Sequence, residues 1–386
     1  MRKICVITGA RSEYGLLNRL MKLIQKDNET QLQLVVTNMH LRPEFGNTYL
    51  EIEKDGFFID KKVYMKPKSD TPGEVVFAMS EEMVGLNQSF EDLKPDLLVL
   101  FGDRYEMLVA AIVAMMHKIP IAHIGGGNIT MGAYDDNIRH AITKLSHLHF
   151  PSTIINRDRV IQLGESPDHV YCVGSLGIEV IKHTQLLNKE EIEKSINFKI
   201  DKKTVLATYH PATLSNRNIE DDMRDFLTVL EEKKDLRIIF TMPNSDEGNS
   251  IIRNQINQFV EKHYKRSIAF SSLGNLKYLS VMKYVAAVVG NSSSGLVEAP
   301  LFGIPTLDIG DRQKGRERST SVIHCKSDKE SILKGLNEIL DREVGYKKKY
   351  SSPYEKENTA ENIFNVIKNF PLGNIIQKQF YQKQGF

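Results

Sequence analysis

Residues 290–298 read GNSSSGLVE. They follow an apolar run at residues 284–289 that predicts a buried strand, and they lead into a segment that can continue as a helix. The first N–H groups of a helix have no partner inside it and lie at the positive end of its dipole, so they bind anions. Ser292, Ser293 and Ser294 add hydroxyl donors, and Glu298 could bind a ribose diol. The stretch predicts a phosphate-binding turn, although a serine-rich helix cap with a solvated glutamate fits these nine residues equally well.

Length and composition limit the classes of protein to consider. A chain of 386 residues suits two domains better than one core. Its apolar content of 41% and charged content of 26% are typical of globular proteins. A net charge of +2 argues against a nucleic-acid partner, and no apolar run is long enough to span a membrane. Cys5, Cys172 and Cys325 lack disulfide or zinc spacing, which predicts a cytoplasmic protein.

Apolar runs alternate with longer amphipathic stretches, which predicts parallel strands joined by helices. Strands are expected at residues 3–8, 33–37, 97–101, 119–124, 147–150, 204–209, 237–242, 267–270, 286–289 and 305–309. Helices are expected at residues 14–25, 71–92, 189–196 and 359–369, among others, and a hinge at residues 170–177. The predicted class is therefore α/β, with two Rossmann-like, doubly wound domains facing each other across a cleft. They cover residues 1–172 and 173–386, and the tail from about residue 359 is expected to pack back on the first domain.

Polar residues follow the predicted strands repeatedly. The turns contain Gly9 and Arg11, residues 102–104 (GDR), residues 125–127 (GGG), His210 and Pro211, Pro243 and Asn244, Asn291 and Ser292, and residues 310–312 (GDR). In an open parallel sheet the carboxyl ends of the strands line one edge, and ligands bind there. These turns together predict one binding cleft.

The phosphate-binding groups predict a nucleotide that is a substrate. Arg11, Arg312 and Arg316 can each form paired hydrogen bonds to phosphate, although residues 312–318 also fit a solvated basic loop. Neither a Gly-x-Gly-x-x-Gly turn nor a Walker lysine loop follows the first strand. We therefore expect no dinucleotide cofactor and no chemistry driven by ATP.

Several titratable side chains in these turns suit proton transfer. The candidates are Asp103 beside Arg104, Asp135 and Asp136 before Arg139 and His140, and His210. Either Asp135 or Asp136 can instead be a first-turn acid favoured by the helix dipole. His123, His147 and His149 alternate with apolar residues, which predicts structural histidines. No set of histidines and carboxylates has metal-ligand spacing, so no metal is expected.

Six motifs occur in order along nearly the whole chain. They are GDR at 102–104, DDNIRHAITKLSHLHF at 135–150, YHP at 209–211, PNSDEG at 243–248, GNSSSGLVE at 290–298 and GDRQKGRERS at 310–319. With these motifs the chain resembles the UDP-N-acetylglucosamine 2-epimerases, in particular their hydrolysing branch, which serves sialic acid and related syntheses. The resemblance implies a GT-B-type fold, UDP bound mainly by the second domain, and a homodimer or homotetramer. It also implies elimination of UDP to a glycal, followed by addition of water to release N-acetylmannosamine.

The resemblance also implies roles for individual residues. Arg11, Ser292 and Ser293 would bind the diphosphate and Glu298 the ribose, while Arg312 and Asn244 would contact the nucleotide and His210 the leaving phosphate. Asp103 and Arg104 belong to the GDR turn, and Asp135 matches the second catalytic aspartate.

One loop departs from the family pattern. Residues 123–132 read HIGGGNITMG, so Gly125 and Asn128 stand where the family usually has carboxylates. Either the aspartates suffice with water, or Glu13 or Glu106 substitutes, or the sugar differs, or the enzyme is weakened. The alternatives are a 2-epimerase of UDP-N,N′-diacetylbacillosamine in the legionaminic acid route, a GT-B glycosyltransferase, and an inactive nucleotide-sugar binding protein.

Overall fold

The structure, a computed structural model, describes residues 1–131, 133–212, 217–244, 246, 248–341 and 350–382. It divides the chain into two compact units. Unit 1 comprises Met1–Asn128, Asp135–Val180 and Tyr354–Phe386, and unit 2 comprises Ile129–Tyr134 and Ile181–Pro353. Each unit is built on its own parallel sheet.

The strands alternate with helices along the chain, as predicted. The strands are β1 (Arg2–Thr8), β2 (Thr30–Thr37), β3 (Lys61–Val63), β4 (Leu97–Phe101), β5 (Ile121–Ile124), β6 (Leu148–Phe150), β7 (Thr204–Thr208), β8 (Arg237–Thr241), β9 (Ser267–Phe270), β10 (Ala287–Gly290), β11 (Thr306–Ile309) and β12 (Val322–Cys325).

The helices connect these strands and cover the sheets. They are α1 (Arg11–Lys26), α2 (Tyr49–Lys54), α3 (Pro72–Leu93), α4 (Tyr105–Met116), α5 (Asp135–Leu145), α6 (Ile154–Gln162), α7 (Leu176–His183), α8 (Lys189–Ile196), α9 (Ile219–Glu232), α10 (Asn249–Lys262), α11 (Gly274–Met282), α12 (Ser294–Val297), α13 (Lys329–Leu340) and α14 (Thr359–Asn369). Among the described residues, no helix is long and apolar enough to cross a membrane.

The strand order is the same in both units. It is β3-β2-β1-β4-β5-β6 in unit 1 and β12-β11-β10-β7-β8-β9 in unit 2, with every neighbouring pair parallel. The order reverses between β1 and β4, and again between β7 and β10. Ligands of doubly wound sheets bind beyond the carboxyl ends of the strands at such a reversal. The turns after these four strands are therefore where a site is expected.

Burial on both faces explains why the inner strands are continuously apolar. In β1, Ile4 and Val6 pack with α1 on one face of the sheet. Cys5 and Ile7 point to the opposite face and pack against α4. Each fully buried side chain of this size contributes about 1.5–3 kcal/mol relative to exposure. The sheet is thus held between two helical layers, which confirms the predicted doubly wound α/β class.

The structure adds two short strands to those predicted. Both β3 and β12 are edge strands, most of their residues are at least partly exposed, and they include lysines or a histidine. Their sequences lack the apolar run or the clear alternation that identified the other strands. Edge strands are often short and charged because this discourages pairing with other chains.

The region predicted as a hinge belongs to unit 1. Val170 forms a parallel bridge with His149, the Ser175 N–H donates to the Tyr354 carbonyl, and α7 has already begun at Leu176. The chain passes to unit 2 after Val180 instead. These hydrogen bonds extend the sheet edge of unit 1, which a sequence rich in glycine and serine does not reveal.

The carboxyl-terminal helix α14 packs on α1 within unit 1. The Arg2 guanidinium donates to the Ile367 carbonyl at 2.7 Å, and Lys368 Nζ lies 2.6 Å from Asp27. The segment after residue 353 therefore completes the first unit, although it follows the second in the sequence.

Candidate active site

A buried guanidinium joins two aspartates at the carboxyl edge of the sheet of unit 1. Arg139, in α5, donates to Asp103 through both Nε and Nη2, with the Nε bond at 2.9 Å. Its Nη1 donates to Asp136 at 3.0 Å and to the Asn128 carbonyl at 2.9 Å. Only 1% of the Arg139 side chain is exposed, against 23% for each aspartate. Asp103 is thus fixed in orientation and still accessible to a substrate.

The first turn of α5 carries both aspartates of the DDNIRH motif. Asp135 is buried at the first position of the helix, where its dipole favours a carboxylate. Asp136 pairs with Arg139 and lies 3.6 Å from His140 Nε2. Desolvation lowers the pKa of His140, so its ring is neutral near pH 7. The structure therefore places Asp136, a candidate from the sequence together with Asp135, in the group around Asp103.

Arg104 lies among buried carboxylates. Its Nε donates to Glu106 at 2.6 Å and lies 3.9 Å from Glu13. Glu13 also accepts from the backbone N–H groups of Gly9 and Ala10. Burial, and then repulsion from Glu106, raises the pKa of Glu13 to about 8. Arg104 therefore balances part of an interior acidic cluster, and the catalytic role predicted for it remains a prediction.

The two glutamates proposed to replace the missing loop carboxylates are poorly placed for contact with a substrate. Glu106 is fully buried and Glu13 is 6% exposed. Glu82 lies in the same interior cluster, and burial raises its pKa well above its ordinary value. Direct proton transfer from Glu13 or Glu106 to a sugar would require these groups to leave their partners.

The loop that lacks the family carboxylates has a structural role for each replacement. Gly125 has a φ of +92°, a conformation that a glutamate rarely adopts. The Asn128 side chain accepts from Asn156 Nδ2 at 2.8 Å and donates to the Gly125 carbonyl at 3.3 Å. Its backbone carbonyl holds Arg139. Asn128 therefore braces the loop that positions Arg139.

His123, His147 and His149 form structural hydrogen bonds, as predicted, although His147 lies just before β6. His123 bridges the Gly102 carbonyl at 2.7 Å and the Thr143 hydroxyl at 3.2 Å. Burial lowers the pKa of His123 to about 4, so the ring is neutral and its Nε2–H donates to the carbonyl. His147 accepts from the Ile121 N–H, and His149 pairs with Glu165 at 2.9 Å. His123 thus connects β5 to the turn that carries Asp103.

Arg11 lies at the start of α1 in unit 1, whereas the other predicted UDP-binding residues belong to unit 2. Its Nε lies 2.7 Å from Glu51 Oε2, and 23% of its side chain is exposed. Desolvation lowers its pKa, and Glu51 partly offsets that effect. The side chain is partly accessible, and its role at the diphosphate remains a prediction.

The serine turn of unit 2 follows β10, but the helix after it is short. Helix α12 covers only Ser294–Val297. The expected helix dipole is correspondingly small, because few peptide units are aligned. Gly290 has a φ of +132°, and a Cβ there would meet the Thr208 carbonyl at 1.9 Å. Ser292 and Ser293 remain partly exposed. Hydroxyls and backbone N–H groups, more than a macrodipole, therefore make this turn suitable for an anion.

Glu298 lies beyond the serine turn and is half-buried. Burial raises its pKa to about 7, and Ser294 and Arg316 partly offset the effect. Its Oε2 is buried and has no hydrogen-bond partner among the described residues. Tyr278 is close by, and burial raises the pKa of its hydroxyl to about 12 while Ser294, Thr208 and Ser292 partly offset that effect. An unsatisfied carboxylate oxygen beside hydroxyl groups is suited to accept from a sugar diol.

Asn291 connects three turns at the carboxyl edge of the sheet of unit 2. Its Oδ1 accepts from the His210 N–H at 2.7 Å, and its Nδ2 donates to the His210 carbonyl at 2.8 Å. Its own carbonyl accepts from Gln313 at 2.9 Å and from Arg312 at 3.2 Å. The Asn244 N–H donates to His210 Nδ1 at 3.4 Å. The structure thus brings together Asn244, His210 and Arg312 with the serine turn. Ser245 and Glu247 of the PNSDEG motif lie outside the described residues.

The basic loop after β11 contains residues with different environments. Arg318 is paired at 2.8 Å with Asp308, which is fully buried. Arg316 contacts the Thr130 hydroxyl at 3.3 Å. Arg312 is held by Asn291 and is partly exposed. The loop is therefore not simply a solvated run of charge, because its arginines are individually anchored.

Asn291 was predicted only as part of a turn at the cleft, and neither Gln313 nor Tyr278 was predicted to take part in the site. Asn291 lies inside the quoted GNSSSGLVE motif, so the sequence already placed it in the phosphate-binding turn. Gln313 likewise lies inside the quoted GDRQKGRERS motif, whereas Tyr278 lies in none of the six motifs. Arg139 was noted only as part of a motif, and its contact with Asp103 spans 36 residues.

Two parallel sheets of this strand order, each with polar turns at its reversal, define a GT-B-like fold with the features of a nucleotide-sugar enzyme. The chain belongs to the UDP-N-acetylglucosamine 2-epimerase family, whose sequence profile matches residues 22–368.

Three similar proteins illustrate this membership. The chain is 40% identical to the GDP/UDP-N,N′-diacetylbacillosamine 2-epimerase (hydrolyzing) of Campylobacter jejuni, covering 98% of each chain. It is 38% identical to the polysialic acid biosynthesis protein P7 of Escherichia coli, covering 99% of this chain and 97% of that protein. The structure also resembles the crystal structure of the Neisseria meningitidis UDP-GlcNAc 2-epimerase bound to UDP-GlcNAc, with a TM-score of 0.76 and 19% sequence identity. The match covers 95% of this chain and 99% of that one, which shows the shared fold. With such relatives the chain falls in the hydrolysing branch.

Proposed function

We propose that this enzyme hydrolyses a UDP-linked 2-acetamido sugar with inversion at C2, releasing UDP and the free epimerised sugar. The observation that carries the proposal is the match over residues 22–368, together with an accessible Asp103 held by a buried Arg139. UDP-N-acetylglucosamine, giving N-acetylmannosamine, is our first candidate substrate. The polysialic acid biosynthesis relative supports it.

The reaction has two stages, which are elimination of UDP and addition of water. In the first, a base removes the C2 proton while the C1–O electron pair leaves with UDP, which gives a glycal. In the second, the oxygen of water bonds to C1 and a proton is added at C2 on the opposite face. No carbonyl acidifies the C2 hydrogen, so the barrier falls only if the C1–O bond breaks early and the ring becomes positive. Carboxylates near the ring and cations near the diphosphate stabilise that charge separation.

Unit 1 supplies the acid–base groups in this proposal. Asp103 is accessible and oriented by Arg139, which suits it to remove or return the C2 proton. Asp135 is the proposed second carboxylate, and Asp136 stabilises Arg139 from the other side. Arg104, which follows Asp103 in the chain, contributes by offsetting the charge of Glu106. Gly125 and Asn128 take no part in proton transfer.

Unit 2 binds the nucleotide in this proposal. Ser292 and Ser293 donate to the diphosphate with Arg312, and Arg11 of unit 1 contributes a further guanidinium. Glu298 accepts from the ribose, for which its unsatisfied oxygen is suited. Asn244 contacts the nucleotide, and His210 lies beside the departing phosphate and stabilises its charge.

A second substrate is favoured by a specific observation. The relative with 40% identity carries the name of a diacetylbacillosamine 2-epimerase. The glycine and asparagine in the loop at residues 123–132 also allow a sugar with different substituents. UDP-N,N′-diacetylbacillosamine is therefore the alternative substrate, which would place the enzyme in the legionaminic acid route instead of the sialic acid route.

A product assay tests the function and chooses between the substrates. Purified protein is incubated with each UDP-sugar, and free UDP and the released sugar are quantified. In heavy-oxygen water, product trapped before anomeric exchange should carry the label at C1. Release of UDP that depends on an added acceptor would indicate a glycosyltransferase. UDP binding without release from either sugar would indicate an inactive binding protein and contradict the proposal.

We also propose that the protein is a cytoplasmic homo-oligomer. Helix α3 exposes Val76, Phe77, Met83 and Val84, which share one helical face at spacings of one, seven and eight residues. Exposed apolar side chains on one face of a helix often mark a protein interface. In a closed dimer the same face of each copy would be buried against its partner.

A further inference from the structure

We propose that Asn291 is a positioning residue that presets the UDP site by holding His210 with its side chain and the Arg312 segment with its backbone. The inference deepens the proposed function and rests on it. Asn291 follows β10 directly and His210 follows β7 by two residues, so the residue lies at the strand-order reversal of unit 2.

The two side-chain hydrogen bonds of Asn291 require a carboxamide. Oδ1 accepts from the His210 N–H at 2.7 Å and Nδ2 donates to the His210 carbonyl at 2.8 Å, across 81 residues of sequence. Asn291 is 1% exposed, so water cannot easily replace either bond. Aspartate would retain the acceptor but present a second oxygen to the His210 carbonyl. Among residues of this length, only asparagine satisfies both groups.

The backbone carbonyl of Asn291 extends the connection to a third turn. It accepts from Gln313 Nε2 at 2.9 Å and from Arg312 Nη1 at 3.2 Å. Gln313 is fully buried, which fixes the start of the loop after β11. The turns after β7, β10 and β11 are therefore all bonded to one residue.

This arrangement fixes the groups that would meet the diphosphate. The His210 backbone is held at both its N–H and its carbonyl, and its Nδ1 receives the Asn244 N–H at 3.4 Å. Ser292 and Ser293 follow Asn291 directly in the chain. Groups that are already oriented bind an anion without the cost of ordering them on binding. Asn291 itself needs no contact with the substrate to have this effect.

The test measures UDP affinity by calorimetry, with Asn257→Asp as the matched control. Asn257 is exposed on α10 of the same unit, so the same chemical change there should leave the Kd within about twofold. We expect Asn291→Asp to raise the Kd for UDP about tenfold, as the loss of one buried hydrogen bond can do. An unchanged Kd in a folded Asn291→Asp protein would overturn the proposal.

A double-mutant cycle separates positioning from general destabilisation. If Asn291 acts through His210, then Asn291→Asp should raise the Kd much less in a His210→Ala background, about threefold or less. Fully additive effects would show that Asn291 does not act through His210 and would overturn the proposal. If Asn291→Asp fails to fold, Gln313→Met takes its place, since it removes only the donor to the Asn291 carbonyl. It should raise the Kd about threefold, and no change would overturn the inference.

The outcomes also distinguish this inference from the proposed reaction. A wild-type protein that binds UDP but releases none from either UDP-sugar would contradict the reaction and leave the positioning role measurable. A wild-type protein that does not bind UDP would overturn both.

Discussion

Replacing Asp103 by asparagine tests the proposed acid–base group most directly. The substitution keeps the shape of the side chain and removes its charge and its ability to accept a proton from carbon. Asp103 now accepts from two nitrogens of Arg139, whereas an asparagine at this position would offer that guanidinium only a neutral oxygen. General acid–base catalysis contributes about 10²–10⁴-fold, so kcat should fall by at least about 10²-fold. UDP affinity should stay within a few fold, because the proposed UDP groups lie largely in unit 2.

The same substitution has a predictable cost in stability. A hydrogen bond to a charged group contributes about 1.5–3 kcal/mol, and Arg139 is almost fully buried. Asp136 and the Asn128 carbonyl still hold Arg139 in the variant, so the guanidinium is not left without partners. We expect a loss of about 2 kcal/mol, which lowers the Tm of a domain of this size by about 4–8 °C.

Three measurements on the variant separate chemistry from structure. Turnover is followed by UDP release, affinity by calorimetry and stability by thermal unfolding. Asp158→Asn is the matched control, since Asp158 is an exposed aspartate of unit 1 and its replacement should change none of the three. A folded Asp103→Asn enzyme with wild-type kcat would refute the role of Asp103. A large loss of UDP affinity with the same kcat would assign Asp103 to binding.

Three further predictions address the nucleotide site and the assembly. Replacing Ser292 and Ser293 together by alanine should weaken UDP binding by about 1–3 kcal/mol, because charge-assisted hydrogen bonds are lost. This is an increase in Kd of roughly five- to 150-fold, measured by calorimetry. A twofold change or less would exclude the serine turn from UDP binding. Burial raises the pKa of Glu298 to about 7 from an ordinary 4.5, so its contribution to stability is complete below about pH 4.5 and is lost as pH rises through about 7. Glu298→Gln should flatten that part of the Tm profile, and an unaltered profile would contradict the shifted pKa. If α3 forms the dimer contact, Val84→Glu should halve the molar mass measured by light scattering. The control Ile154→Glu, at an exposed position of α6, should leave the molar mass unchanged. An intact oligomer with Val84→Glu would exclude this face of α3 as the contact.

The sequence by itself determined the class of fold, because buried strands and amphipathic helices have distinct periodicities. The runs at residues 97–101 and 267–270 were predicted with the bounds that the structure has. It also located the turns that carry Asp103, His210 and Ser292, since polar residues after buried strands collect at one edge of a parallel sheet. The order of the motifs further indicated the family.

Only the tertiary structure decided how the side chains in those turns are used. Nothing in the local sequence predicts that Arg139 is buried against Asp103, that Glu106 faces the interior, or that Asn128 braces its own loop. The edge strands β3 and β12 were missed because most of their residues are at least partly exposed, and such strands need no apolar pattern. Each of these features depends on contacts between segments far apart in the chain. The energy of such a contact depends on burial and mutual orientation, which exist only once the sheets have assembled.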